Sequence, residues 1–252
     1  MQKTLIIGDV HGCIDELLEL MKQFAPSADD HIIFIGDLID RGPDSLSVLR
    51  QVVQWSKLFH VRLVLGNHEE KFLRFIQHIN DASGREKGMT GIDKFHDLYI
   101  NLNDEELRFL KDAYYCLHLP DLNALILHAG VLPNSPITLP ASYRYNTDFA
   151  AHQKKTLSLL NKTRFISSSG KFIARDQESP QDLFWAEIYD GRWGHIYFGH
   201  QPFVQLGAKQ FTHATGIDNG CVFGGWLTAV EISTDGVRYI SIPANKNYAI
   251  NT

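Results

Sequence analysis

Cysteine is scarce in this chain. Cys13, Cys116 and Cys221 are odd in number, far apart and never paired as CxxC. That argues against a disulfide framework and a zinc knuckle, and a reduced, cytoplasmic setting is the expectation. Long hydrophobic runs are also missing. The apolar stretches reach only a few residues, too short to cross a bilayer, so no membrane partner is expected. The opening MQKTLIIGDVHG has neither the apolar stretch nor the cleavage pattern of a signal peptide. Neither sign of charge dominates, since 24 Lys and Arg against 29 Asp and Glu leave a net charge of −5. No global basic character points to DNA. An anionic small molecule stays compatible, because metals or arginines can invert a field locally. Internal repeats, low-complexity tracts and linker-like segments are absent from the sequence.

With 44% hydrophobic residues among 252, there is enough apolar material for a sizeable core. The first third alternates. Leu5–Ile7, Ile32–Ile35 and Val61–Leu65 are short apolar runs of strand character. Between and after them, Asp15–Phe24, Ser45–Trp55 and Glu69–Ile79 carry apolar residues at helical spacing. This order predicts parallel strands with right-handed crossovers. Residues 80–92 read as loop, and Asn103-Asp104-Glu105-Glu106 as a helix start. Ala124–Leu127 is a further strand. Ile196–Phe198, Thr212–Thr215, Leu227–Ile232 and Val237–Ile242 return to strand character, the last two joined by a Thr234-Asp235-Gly236 turn. The expectation is a single α/β domain over residues 1–252, with two sheets and flanking helices. Residues 134–193 are the least regular part and fit either a cap or a surface insertion.

The strand ends share a pattern. GDVHGC at 8–13, GDLIDRGP at 36–43 and GNHEE at 66–70 each close an apolar run, and HAG at 128–130 and GH at 199–200 close two more. In sheets of this kind, function sits beyond the carboxyl ends of the strands. Asp9, His11, Asp37, Asn67, His128 and His200 together offer three oxygen ligands and three imidazoles. A mixed set suits Mn, Fe, Zn or Co better than Ca or Mg. Six ligands exceed what one ion with open positions needs. They suit two divalent ions sharing a carboxylate, for which Asp37 is the candidate. A glycine before each of Asp9, Asp37, Asn67 and His200 lets the chain turn and neighbouring backbone approach. Two such ions polarise a phosphoryl oxygen and ionise a bridging water for in-line attack. His68 would protonate the leaving oxygen, Asp40 would orient it, and Arg41 would hold phosphate oxygens. His31, His60, His78, His96, His118, His152 and His213 are read as structural or merely exposed.

As a set, GDVHG, GDLIDRG, GNHE, HAG and GH resemble the metal-dependent phosphoprotein phosphatase superfamily, the calcineurin-like metallophosphoesterases. The motifs run from residue 8 to about 230. The resemblance implies a β-sandwich flanked by helices with a dinuclear centre. It also implies a division of ligands. Asp9, His11 and Asp37 would hold one metal, and Asp37, Asn67, His128 and His200 the other. His68 and Asp40 would be the acid pair and Arg41 a phosphate ligand. Manganese is the first expectation, with Fe, Zn or Co as alternatives.

Within that superfamily, HAGVLP, EKFLRFIQHI and GIDNGCVFGGWLTAVEI are similar to the symmetrical diadenosine tetraphosphatases and small bacterial relatives. A segment like the SAPNYC of eukaryotic Ser/Thr phosphatases is missing. The expected reaction is therefore cleavage of dinucleoside polyphosphates, with a phosphoserine or phosphothreonine protein as the alternative substrate. A non-catalytic, metal-stabilised module fits poorly, because Asp40, Arg41 and His68 are all present. One departure concerns the second phosphate-binding arginine. In FWAEIYDGRWGH the candidate Arg192 is followed by Trp193 rather than glycine, and Arg164, Arg175 and Arg144 are the fallbacks.

Overall fold

The computed structural model describes residues 2–249 except 83 and 136; residues 1, 83, 136 and 250–252 lie outside the described residues. The chain opens with β1 (Thr4–Ile7), α1 (Ile14–Phe24), β2 (His31–Phe34), α2 (Ser45–Trp55), β3 (His60–Leu63) and α3 (Asn67–Asn80). Next come α4 (Phe95–Asn101), α5 (Asp104–Lys111), β4 (Tyr114–Leu119) and β5 (Ala124–Leu127). The least regular stretch supplies β6 (Tyr143–Arg144), α6 (Ala151–Leu157), β7 (Phe165–Ile166), β8 (Leu183–Phe184) and α7 (Trp185–Ile188). The chain then adds β9 (His195–Phe198), β10 (Lys209–Gln210), β11 (Ala214–Gly216), β12 (Asp218–Asn219), β13 (Trp226–Ser233) and β14 (Gly236–Pro243).

Among the described residues, the strands form two six-stranded sheets and one two-stranded sheet. The first runs β12-β13-β1-β2-β3, with β14 on β13, and β1, β2 and β3 are parallel. The second runs β10-β11-β9-β5-β4-β6, with β5, β9 and β11 parallel. Successive strand residues point to opposite faces. Leu5, Ile7, Ile32 and Phe34 join the core shared with Leu17, Leu20, Val48 and Val52 under the helices. Ile6 and Ile33 instead meet Ile126 and Tyr197 of the other sheet. Each six-stranded sheet is thus buried on both faces, which is why these strands read as continuous apolar runs.

The parallel strands fix where the ligand-bearing loops emerge. β1, β2, β5 and β9 all end within three residues of a proposed ligand, and α3 begins on Asn67 itself. Between residues 134 and 193, β6 completes the edge of the second sheet, and β7 pairs antiparallel with β8. The three cysteines are free and buried. Among the described residues, no helix is long and apolar enough to cross a membrane.

Candidate metal centre

The loops leaving the strands are held in costly backbone conformations. His11, Asp37, Asp40, Arg41 and His200 all have positive φ, between 47° and 72°. Left-handed backbone is uncommon for non-glycine residues and persists only where surroundings enforce it. Five such residues converge on one site. Glycine provides the clearance they need. A Cβ on Gly66 would run into Asp37 Oδ1, and one on Gly199 into Asp9 Oδ1.

Asp37 lies at the middle. Its Oδ2 is 3.5 Å from His11 Nε2, 3.4 Å from His128 Nε2 and 3.9 Å from His68 Nε2. His11, Asp37 and His68 form one group whose ligand atoms lie within 4.8 Å of one another, and Asp37, His128 and His200 form a second. Asp37 is common to both. Second interactions orient the rings. His11 Nδ1 faces the Ile39 carbonyl at 3.0 Å, and His128 Nδ1 faces the Ile35 carbonyl at 2.8 Å. Each leaves Nε2 free toward Asp37, as a metal-binding imidazole requires. Asn67 Oδ1 lies 3.2 Å from His128 Nε2. The His200 backbone N–H donates to both oxygens of Asp9, at 3.3 and 3.1 Å.

The charges fit cations. Burial, then repulsion from Asp218 and Asp37, holds the Asp9 carboxyl well above the usual range. Burial likewise pushes Asp218 up to about 6, with the charge of Asp37 adding to it. Burial opposes ionisation of Asp37, but His128 and His68 outweigh it and hold that carboxyl well below the usual range. Burial lowers His11 to about 3, against the pull of Asp37, and takes His200 well below its ordinary value. Both rings are therefore neutral and able to ligate. Crowded carboxylates with neutral imidazoles at His11 and His200 match what divalent ions bind, while at His128 burial is outweighed by the charge of Asp37, which raises that ring above its ordinary value.

Asp40 and His68 are paired, with His68 Nδ1 2.6 Å from Asp40 Oδ2. Burial works against the Asp40 carboxylate, and the His68 hydrogen bond and charge bring it below the usual range. Arg41 stands beside them, its guanidinium 5.5 Å from the Phe223 ring centroid. It lines a cleft of about 260 Å³ together with Asn67, Arg164 and His200. Arg164 donates through Nη2 to the His200 carbonyl at 2.9 Å, while its buried Nε has no partner.

Arg192 is not brought to this cleft. Its guanidinium pairs with Asp190 at 2.6 Å and lies over the Trp193 ring, beside a small depression lined by Val131, Pro133 and Trp185. Of the fallbacks, Arg164 lines the cleft, Arg175 stands at its exposed edge, and Arg144 stacks on Tyr114, 4.8 Å from the ring centroid.

The family model of the calcineurin-like phosphoesterases matches residues 2–225. This chain is a calcineurin-like phosphoesterase. A bis(5′-nucleosyl)-tetraphosphatase of Oceanobacillus iheyensis, named PrpE and asymmetrical, is 32% identical over 246 residues, covering 90% of this chain and 87% of its own. A symmetrical bis(5′-nucleosyl)-tetraphosphatase of Klebsiella pneumoniae is 29% identical over 290 residues, covering 98% and 97%. The crystal structure of a candidate diadenosine tetraphosphatase superposes with a TM-score of 0.71 at 23% identity, covering 96% of this chain and 93% of that one. The family implies divalent metals, and the phosphoesterase has His and Asp groups placed to hold them.

Two residues of the phosphoesterase site were not singled out by sequence reasoning. Glu69, fully buried, accepts four backbone N–H groups. Its Oε2 takes those of Asp37 and Gly66 at 2.8 and 3.0 Å, and its Oε1 those of Leu38 and Ile39 at 2.8 and 3.2 Å. Its position three residues after Gly66, at a helix start, is the capping-box signal that marks it. Asp218 follows Gly216-Ile217 after β11, the same glycine-near-strand-end signature as the other carboxylates.

Proposed function

We propose that the protein hydrolyses dinucleoside tetraphosphates at a phosphoanhydride bond. One observation carries the proposal. The carboxylate common to two ligand groups stands beside a part-buried Asp–His pair, and a cleft with a half-buried, partly unpartnered Arg164 opens onto them. The tetraphosphatase names of relatives that cover nearly the whole chain support it.

Asp9, His11 and Asp37 would hold one divalent ion, and Asp37, Asn67, His128 and His200 the other, with Mn first and Fe, Zn or Co otherwise. Such ions supply Lewis acidity toward a phosphoryl oxygen and acidify water. The rest falls to the chain. Arg41 and Arg164 neutralise the non-bridging oxygens of the attacked phosphate, a task suited to planar guanidinium forks. Arg164 takes the position that the sequence reading gave to Arg192. His68 holds a proton on Nε2 toward the reacting phosphate and passes it to the departing oxygen. Asp40 accepts from Nδ1, fixing the ring and stabilising its charge before transfer.

The C-terminal pattern favours the symmetrical cut, and relatives of both kinds match. Products of diadenosine tetraphosphate treated with Mn-loaded protein read the difference. ADP alone is the expected result. ATP with AMP would move the cut to the asymmetrical position. Absence of nucleotide release, together with turnover of a phosphothreonine peptide, would replace this reading by a protein phosphatase.

A further inference from the structure

The metal groups occupy one end of a longer depression. Beyond the cleft at Arg41 and Arg164 lies a second one of about 490 Å³. Glu70, Arg74 and Lys162 line both, so the two are continuous along the outer side of α3. The far walls come from the end of α5, from residues 145–148 and from α6.

The second cleft inverts the charge of the protein. Its cations are Arg74, Lys111, Lys154, Lys155 and Lys162, against Glu70 and Asp148. Glu70 is already engaged, by Lys162 at 2.6 Å and by the Ser158 hydroxyl at 2.8 Å. Among the described residues, Arg74, Lys111, Lys154 and Lys155 form no ion pair. Four unpaired cations facing one concavity repel each other at a cost unless an anion joins them. A chain with a net charge of −5 places them there nonetheless. An aromatic surface adjoins them. The half-buried ring of Tyr145 rests on the buried Tyr115, with centroids 5.6 Å apart, in the same cleft wall.

Phosphates followed by a flat ring are the features of a nucleoside polyphosphate. We infer that this outer cleft binds the half of the dinucleoside polyphosphate farther from the metals. The outer phosphates lie against Arg74, Lys111, Lys154 and Lys155, and the outer base stacks on Tyr145. The inference rests on the function proposed above and assigns that function's distal binding site. A phosphoserine or phosphothreonine side chain carries a single phosphate and would leave these cations without a partner.

The test uses the full chain with Lys154 and Lys155 both changed to Glu, exposed positions on α6 remote from the ligands. Calorimetric titration with adenosine 5′-tetraphosphate, in chelator, reads binding apart from catalysis. The variant is expected to bind about 10-fold more weakly, corresponding to about 1.4 kcal/mol. Equal affinity in the two proteins, or no binding by either, overturns the assignment. With Mn-loaded protein, KM for diadenosine tetraphosphate should rise at least fivefold more than KM for p-nitrophenyl phosphate, which is too short to reach the outer cleft. An equal change in both overturns it. Tyr145→Ala should weaken adenosine 5′-tetraphosphate more than inorganic tripolyphosphate, and equal weakening removes the base-stacking role. Should diadenosine tetraphosphate not be cleaved at all, the proposed activity falls, while the chelated titration still decides the cleft.

Discussion

Replacing Glu69 by Gln removes no volume and only one charge, yet it should dismantle the centre. The Glu69 carboxylate is an acceptor at both oxygens, and four backbone N–H groups point at it. A glutamine offers one acceptor oxygen. Its amide group would face two of those N–H groups, leaving two buried donors unpaired and adding two hydrogens that oppose them. A buried polar group left unpaired costs about 1–3 kcal/mol, so the substitution should cost about 2–6 kcal/mol. That is a large share of the roughly 5–15 kcal/mol that stabilises a typical protein. Three of the four donors belong to Asp37, Leu38 and Ile39, so the segment that releases its hold carries the shared carboxylate. Thermal unfolding of the variant should move down by roughly 5–20 °C, and bound metal measured by elemental analysis should fall with it. A Glu69→Gln protein with unchanged melting and full metal content would refute the idea that these four bonds set the position of Asp37.

Three further outcomes follow from the same geometry. Asp40→Asn should lower kcat by about 100-fold or more with little change in KM, because His68 loses its oriented acceptor and its charge support; steady-state kinetics on p-nitrophenyl phosphate checks it. Arg164→Ala should raise KM for diadenosine tetraphosphate by about 10-fold, whereas Arg192→Ala, which releases only an exposed pair with Asp190, should stay within about twofold. In metal-free protein, burial pushes the Asp218 carboxyl up to about 6 from an ordinary 3.8. Its folded-state value is raised, so its contribution to stability is full below 3.8 and lost as pH rises through about 6. Measured by denaturation against Asp218→Asn, the wild type should therefore lose up to about 3 kcal/mol of stability between those pH values, while the lowered His11 and His200 act in the opposite sense in both proteins; an identical pH dependence in the two proteins would refute it.

Much of this architecture was legible because its signals are local. Ile6 between Leu5 and Ile7, and Ile33 between Ile32 and Phe34, are apolar on both faces, as strands buried from both sides must be. A glycine just before Asp9, Asp37, Asn67 and His200 encodes turn and close approach in adjacent positions. The missing parts depend on contacts distant in sequence. Tyr114–Leu119 forms β4, though its Tyr-Tyr-Cys-Leu-His-Leu lacks a clean period. Arg192 was the candidate for the second phosphate-binding arginine that the family resemblance implies, but it turns back on Asp190. Arg164 reaches His200 because β7 pairs with β8 and the Trp185 N–H donates to the Arg164 carbonyl at 3.0 Å. That pairing joins residues 165–166 to 183–184 across an irregular stretch, with nothing local to announce it. Glu69 has the same character, since three of its four donors come from the loop after β2.

The central claim is that Asp37 organises two metal positions for one phosphoanhydride cleavage. Its most direct test is turnover of diadenosine tetraphosphate measured against Mn bound per chain, in the wild type and in Asp37→Asn. Turnover should emerge only as the second ion binds, and the variant should bind less metal and lose activity by about 100-fold or more. Full turnover with one ion per chain, or undiminished turnover in the variant, would contradict the account.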